Sequence, residues 1–124
     1  MPLPPHYATT FSQALTAFIG ELQDDRPGKE FSLHIEEEIL YWCIKWKSQK
    51  FLDEYFQLQI WPMDAVYHVM GERRAIDLMD EYGEEYFYRE DLTVEALVNL
   101  QEELILDFKK GVLEAVDTPL DVNN

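Results

Sequence analysis

Residues 51–61 read FLDEYFQLQIW, and their interpretation decides the fold class. Phe56, Leu58 and Ile60 alternate with glutamines, which is the pattern of a β-strand with one buried face. Tyr55 and Leu58 also lie at helical spacing, and the period of so short an apolar run does not decide between the two. A strand without a partner is not stable in water. Because no pairing partner is evident nearby, the sequence favours a helix here, and a strand stays as the alternative.

Amphipathic patterns typical of helices lie on both sides of this stretch. Apolar residues recur every three or four positions over residues 7–22, 35–46 and 97–116, as they do on the buried face of a helix. Breaker residues at 24–28 predict the end of the first helix. The predicted core combines the three stripes and contains Phe11, Leu15, Phe18, Ile39, Trp42, Leu97, Leu100, Leu104 and Phe108.

Capping residues predict where further helices begin and end. Ser32 is a good N-cap for the second helix, and Thr93 is one for the last helix. Pro62 suits the first turn of another helix, whose pattern continues to Gly83. Residues 84–91 are predicted to be a loop or a short extended piece.

These patterns predict an all-α fold. We expect a compact bundle of four to five helices, with at most one short extended segment near residues 55–61 or 84–89. The 124 residues are predicted to form a single globular domain, with loose tails at residues 1–6 and 118–124. A hydrophobic fraction of 47% is high enough to build a core, which excludes a disordered chain.

Cysteine usage and the N-terminus predict the compartment. Cys43 is the only cysteine, so the chain has no internal disulfide and fits a reducing environment. No apolar run approaches the roughly 20 residues that a membrane helix needs. The first residues lack the basic start and apolar stretch of a signal peptide. We therefore expect a cytoplasmic protein.

The net charge predicts the kind of partner. Ten Lys and Arg against 25 Asp and Glu give a formal charge of −15 and a pI near 4.3. Such a surface repels nucleic acids and anionic membranes and attracts basic proteins. We therefore expect neither direct nucleic-acid binding nor membrane binding.

Motifs for catalysis or metal binding are missing from the sequence. Asp64 and His68 are spaced as neighbours on a helix, but no second histidine four residues away completes a zinc pattern. Cys43 lies in an apolar segment, where a thiol behaves as a small hydrophobic group. The glycines are scattered and form no phosphate-binding loop. We therefore expect no enzymatic activity, no metal and no cofactor.

The negative charge is concentrated in the C-terminal part. Eleven acids lie between Asp77 and Asp107, where Arg89 is the only basic residue. Tyrosines occur among these acids, and tyrosine is enriched at the centres of protein interfaces. The predicted partner-binding residues are Asp77, Asp80, Glu81, Glu84, Glu85, Tyr86, Tyr88, Glu90 and Asp91.

Two functions fit this profile. The first is a small acidic inhibitor that neutralises a basic partner, either a nuclease toxin or a DNA-binding protein. It would act like an immunity protein or antitoxin, or like a DNA mimic whose carboxylates imitate phosphates. The alternative is a secretion or assembly chaperone with an apolar groove flanked by acids, which the aromatic residues of 51–61 would line. A homodimer is compatible with either function.

Overall fold

The structure is a computed structural model that describes residues 3–47, 53–76 and 81–118. Its five strands form one antiparallel sheet in the order β1-β2-β3-β4-β5, so that each strand pairs with its neighbours along the chain. The elements in chain order are α1 (Tyr7–Asp25), β1 (Phe31–Glu36), a short 3-10 turn (Glu37–Ile39), β2 (Tyr41–Trp46), β3 (Asp53–Met63), β4 (Val66–Ile76), β5 (Glu81–Leu92), α2 (Val94–Asn99) and α3 (Gln101–Asp117).

The predicted helical bundle is wrong, because a five-stranded sheet occupies the middle of the chain. The ambiguous stretch 51–61 contributes to β3, whose described residues have a partner strand on each side, β2 and β4. The stripe over residues 35–46 belongs to two strands joined by the 3-10 turn. The helical spacing predicts that Ile39 is buried in the core. Ile39 instead lies on that turn and is 62% exposed.

Further along the chain, the predicted helix after Pro62 is also wrong. Pro62 lies in β3 close to the turn into β4, where an end position tolerates the missing N–H. Residues 84–91, predicted as a loop or short piece, form most of the twelve-residue strand β5. The extended segments considered near residues 55–61 and 84–89 are therefore parts of two long strands.

The predictions for the terminal helices are confirmed in outline. The helix α1 ends at Asp25, just before Arg26, Pro27 and Gly28. The Thr93 side chain accepts a hydrogen bond of 3.1 Å from the backbone N–H of Ala96 and so caps α2. The last stripe is divided between α2 and α3, which meet at Leu100.

The helices pack on one side of the sheet. Alternate residues of β2 and β3 are fully buried there, including Trp42, Ile44 and Phe56. The ring of Phe11 on α1 lies 4.7 Å from that of Trp42, and the ring of Phe108 on α3 lies 5.4 Å from that of Phe56. The core therefore lies between this face of the sheet and the helices, and no helix of the described residues lies over the other face.

Phe56 lies at the closest approach of α3 to the sheet. A Cβ atom at Gly111 would lie only 2.4 Å from Cζ of Phe56, so α3 could not approach as closely with a larger residue. Phe108 and Tyr86 pack edge-on against the same ring, at centroid distances of 5.4 and 5.1 Å. On β4, Gly71 leaves room in the same way for Phe87, whose ring would lie 2.2 Å from an added Cβ.

A buried ion pair lies beside this aromatic cluster. Arg73 of β4 donates to Glu54 of β3 at 2.9 Å, and both side chains are at least 95% buried. The Arg73 guanidinium also donates to the backbone carbonyl of Thr118 at 2.8 Å, just after α3 ends. Cations stabilise the negative end of a helix. Arg73 therefore ties the C-terminal end of α3 to the sheet.

We predict that Gly111→Ala lowers the free energy of unfolding by about 1–3 kcal/mol, the usual cost of overpacking a core. The added methyl group would meet the Phe56 ring, which is fully buried and has little room to move. Gly20→Ala is the matched control, because Gly20 is an exposed position of α1 where an added Cβ has no atom within 4 Å. There the better helix propensity of alanine should raise stability by about 0.5–1 kcal/mol. Urea unfolding measures the free energy of unfolding of both variants. An equal increase in stability for Gly111→Ala and Gly20→Ala would show that α3 does not approach Phe56 closely.

Candidate protein-binding surface

The strand β5 forms one edge of the sheet and carries most of the predicted partner-binding residues. Seven of the nine lie on it: Glu81, Glu84, Glu85, Tyr86, Tyr88, Glu90 and Asp91. The other two, Asp77 and Asp80, lie outside the described residues. The acids of this strand are all exposed, as a solvent-facing edge allows. Strand β5 therefore brings the described members of the set together along one line.

The pleat of the strand divides these residues between the two faces of the sheet. Glu84 lies opposite Arg73 and points to the helix side. Glu85 lies opposite Glu72 and points to the other side. Glu81 and Tyr88 share the side of Glu85, and the Glu90 carboxylate lies beside the Tyr88 hydroxyl. A partner that contacts all of them must therefore reach around the edge of the sheet.

A β-bulge gives the two tyrosines different surroundings. Gly71 pairs with Phe87 while the next residue of β4 pairs with Glu85, so Tyr86 is an additional residue in β5. Tyr86 is half-buried against Phe56, and burial raises the pKa of its hydroxyl. Tyr88 lies on the face without helices and is 42% exposed. Of the two, Tyr88 is the more accessible to a partner.

Most carboxylates of β5 have no cation beside them. Arg74 forms ion pairs with Glu81 and Glu72. Arg89, the basic residue of β5, is held by Glu103 and Asp107 of α3, each at 2.9 Å. Four acids have no ion-pair partner within the part of the chain that the structure describes: Glu84, Glu85, Glu90 and Asp91. The edge is therefore a negatively charged surface.

The face of the sheet without helices carries aromatic and polar side chains, which the sequence-based reasoning missed. We define the helix-free face by Tyr41 and Cys43 of β2, Tyr55, Gln57 and Trp61 of β3, His68, Glu72 and Arg74 of β4, and Glu85 and Tyr88 of β5. The Tyr41 hydroxyl donates to Gln57 at 2.9 Å, and the Gln57 amide donates to Glu72 at 2.7 Å. This chain of hydrogen bonds crosses three strands. The alternation of apolar and polar residues over 55–61 is the sequence signal that could have revealed β3 and this second face.

Three aromatic side chains form a cluster beside β5 on the helix-free face. The Trp61 indole stacks on the His68 imidazole at a centroid distance of 5.7 Å. Nδ1 of His68 lies within hydrogen-bond distance, 2.9 Å, of the Tyr88 hydroxyl. These contacts fix the orientation of Tyr88, which a binding anchor needs. In the described ranges, no three His, Cys, Asp or Glu side chains come together to hold a metal ion.

Cys43 is buried on the helix-free face between β1 and β3. Its register neighbours are His34 and Gln57, and only 1% of the residue is exposed. Burial is the largest effect on the thiol and raises its pKa to about 11. Burial also raises the pKa of the neighbouring Tyr41 hydroxyl. The Cys43 thiol is therefore protonated and shielded near neutral pH.

Comparisons with known proteins identify no relative. No protein-family model matches the chain, and no curated protein or solved structure is significantly similar to it. Among the helices in the described part of the chain, none combines the length and the apolar character that crossing a membrane requires.

We predict that Cys43 reacts slowly with Ellman's reagent in the folded protein. A pKa of about 11 leaves little thiolate at pH 8, and the reagent must also reach a buried atom. The reaction should be at least ~100-fold slower than in the urea-unfolded chain, because a rise of two pKa units alone lowers the thiolate fraction about that much. Similar rates in the two states would contradict the burial of Cys43.

Proposed function

We propose that this protein is a small acidic inhibitor that neutralises a basic protein partner, in the manner of an immunity protein or antitoxin. The unpaired negative charge of β5 carries the proposal. Glu84, Glu85, Glu90 and Asp91 lie on an exposed edge strand without a cationic partner among the described residues. Charge complementarity accelerates the encounter of two proteins and selects against wrong partners.

The partner we propose is a nuclease toxin or another DNA-binding protein, because such proteins carry the basic surface that binds phosphates. A carboxylate edge that covers this surface would block access of nucleic acid. Tyr88, oriented by His68 and partly exposed, supplies the aromatic anchor that interfaces favour. The proposal includes a cytoplasmic location, which the single unpaired cysteine supports.

Within this class, the spacing of the acids favours toxin neutralisation over DNA mimicry. A mimic needs regularly spaced negative charges over a long surface. Glu84 and Glu85 are adjacent but point to opposite sides of the sheet, and Glu90 follows after a bulge. Neutralising a toxin needs only one complementary patch.

A chaperone is the second candidate, and one observation favours it. A groove of about 280 Å³ lies near one end of the sheet, lined by Ile39, Tyr41 and Trp61 together with Glu36. Ile39 is 62% exposed, which is unusual for so large an apolar residue. A chaperone would hold an apolar segment of its client in this groove, and its binding would depend little on salt.

We predict that the double reversal Glu84→Lys/Glu85→Lys slows association with the partner captured from the native host at least ~10-fold at low salt. The matched control is Glu21→Lys/Asp24→Lys, which changes the net charge equally on exposed positions of α1. Because α1 packs over β1, at the other edge of the sheet, this control should change association less than ~2-fold. Surface plasmon resonance at ~0.01 M and ~0.15 M salt measures both rates.

Two results would contradict the proposal that this protein is an electrostatically steered inhibitor. One is an association rate that is independent of salt and unchanged by the β5 reversal. The other is equal slowing by both double variants, which would place the charge effect in the whole molecule and not in β5. Thermal unfolding of each variant verifies that the fold is intact.

We predict that Tyr88→Ala speeds dissociation from the same partner about 10-fold or more, as loss of an interface anchor does. The stability should fall by about 1–3 kcal/mol, because buried His68 loses the Tyr88 hydroxyl as its hydrogen-bond partner. Gln13→Ala is the control, since Gln13 is an exposed position of α1, which packs over β1 at the other edge of the sheet. Dissociation rates from the same surface plasmon resonance traces provide the measurement, and identical rates for both variants would exclude Tyr88 as an anchor.

A further inference from the structure

The outer edge of β5 is open to another strand. In the described part of the chain, β5 pairs with β4 alone, and the opposite edge belongs to β1. Half of the backbone N–H and C=O groups of an edge strand point away from the sheet, and an extended peptide can pair with them. The β4–β5 register is regular from Glu81 to Glu85 before the bulge at Tyr86. This regular run is long enough to accept a short strand.

A cleft lies between β5 and α3, next to this regular run. Its volume is about 200 Å³, and its lining comes from Tyr86 and Phe87 of β5 and from Asp107, Lys110, Gly111 and Glu114 of α3. The bulge turns both aromatic residues to the helix side. Gly111 adds no side chain to this lining, because the Phe56 ring occupies the position that its Cβ would take.

The chemistry of the cleft suits a lysine or arginine side chain. Such a side chain has an apolar stem that packs on aromatic rings and a charged end that seeks a carboxylate. Tyr86 and Phe87 supply the rings. Glu114 supplies a carboxylate that has no ion pair among the described residues, whereas Asp107 is already paired with Arg89. Lys110 also lines the cleft, one helical turn before Glu114, so an inserted cation must use Glu114 on the side away from Lys110. Strand addition places alternate side chains of the added strand on each face of the sheet, so one of them would reach the cleft.

The charge of β5 selects the occupant. A second copy of this chain would bring Glu81, Glu84 and Glu85 against the same acids of its partner, and natural sheets use such charges to prevent edge-to-edge pairing. A basic strand would meet the same edge with opposite charge. The edge therefore favours pairing with a basic segment and disfavours pairing with β5 of a second copy.

From these observations we propose that β5 is a strand-addition site. An extended basic segment of the partner pairs with the outer edge of Glu81–Glu85 and inserts one lysine or arginine side chain into the cleft between β5 and α3. This inference rests on the proposed function, because it specifies how the basic partner is held.

Two synthetic peptides test the pairing. The probe is an eight-residue peptide of alternating lysine and threonine, and its control is the same peptide with every backbone amide methylated. Both have the same charge, but only the first can form ladder hydrogen bonds. We expect the control to bind the 124-residue chain at least ~10-fold more weakly. Amide hydrogen exchange should slow at least ~10-fold at alternate residues of Glu81–Glu85 with the first peptide only.

Two matched variants test the cleft. Glu114→Lys should weaken binding of the unmethylated peptide at least ~10-fold, since it replaces the unpaired carboxylate by a like charge. Glu21→Lys makes the same change on the exposed surface of α1 and should weaken binding less than ~2-fold. Equal effects of the two variants would overturn the role of the cleft.

The outcomes separate this inference from the proposed function. If both peptides bind equally, or if exchange slows at β1 or on the helix-free face and not at β5, strand addition is overturned while a charge-driven inhibitor stands. If the Glu84/Glu85 reversal leaves the association rate of the captured partner unchanged, the proposed function fails, regardless of how tightly the peptides bind. Dimerisation of the free protein through β5 would overturn the selection of a basic occupant.

Discussion

The contact between Phe56 and the bare backbone of α3 at Gly111 determines how the two layers of this protein fit together. Because the ring occupies the space that a Cβ would take, α3 lies close over the middle of the sheet. Phe108 and Tyr86 close around the same ring. Large-to-small and small-to-large changes at such a contact are both costly, since protein interiors are packed without spare volume.

Two arginines of the sheet hold α3 in place through ion pairs and hydrogen bonds, one in the interior and one on the edge strand. Arg73 connects Glu54 to the C-terminal end of α3, and Arg89 connects β5 to Asp107. Removing one member of a buried pair such as Arg73–Glu54 leaves an unpaired charge, at a typical cost of about 3–5 kcal/mol. Of the two, Arg89 is the arginine that lies on the edge strand, and α3 already neutralises it. Within the described residues, Glu84, Glu85, Glu90 and Asp91 of β5 have no ion-pair partner.

The proposed function and the strand-addition site both follow from the position of β5 at the end of the sheet. A strand with neighbours on both sides would hide its backbone groups and would leave its acids less room to extend into solvent. At the edge, Glu84 and Glu85 extend from opposite faces while the backbone between them stays available. Tyr88, held by His68, adds an oriented aromatic ring on the helix-free face. Unpaired acids, open backbone groups and an oriented aromatic ring thus lie within one strand.

Local patterns in the sequence determined α1, the cap at Thr93 and the acidic C-terminal part, because breaker residues, caps and charge act over a few neighbouring residues. The strands were missed because a strand is stabilised by partners that may be distant in sequence, and residues 51–61 show no partner when read alone. Tertiary structure alone decided that Glu84 and Glu85 face opposite ways, since that depends on register and on the bulge at Tyr86. Composition is a property of the chain, whereas an edge exists only after the sheet has formed.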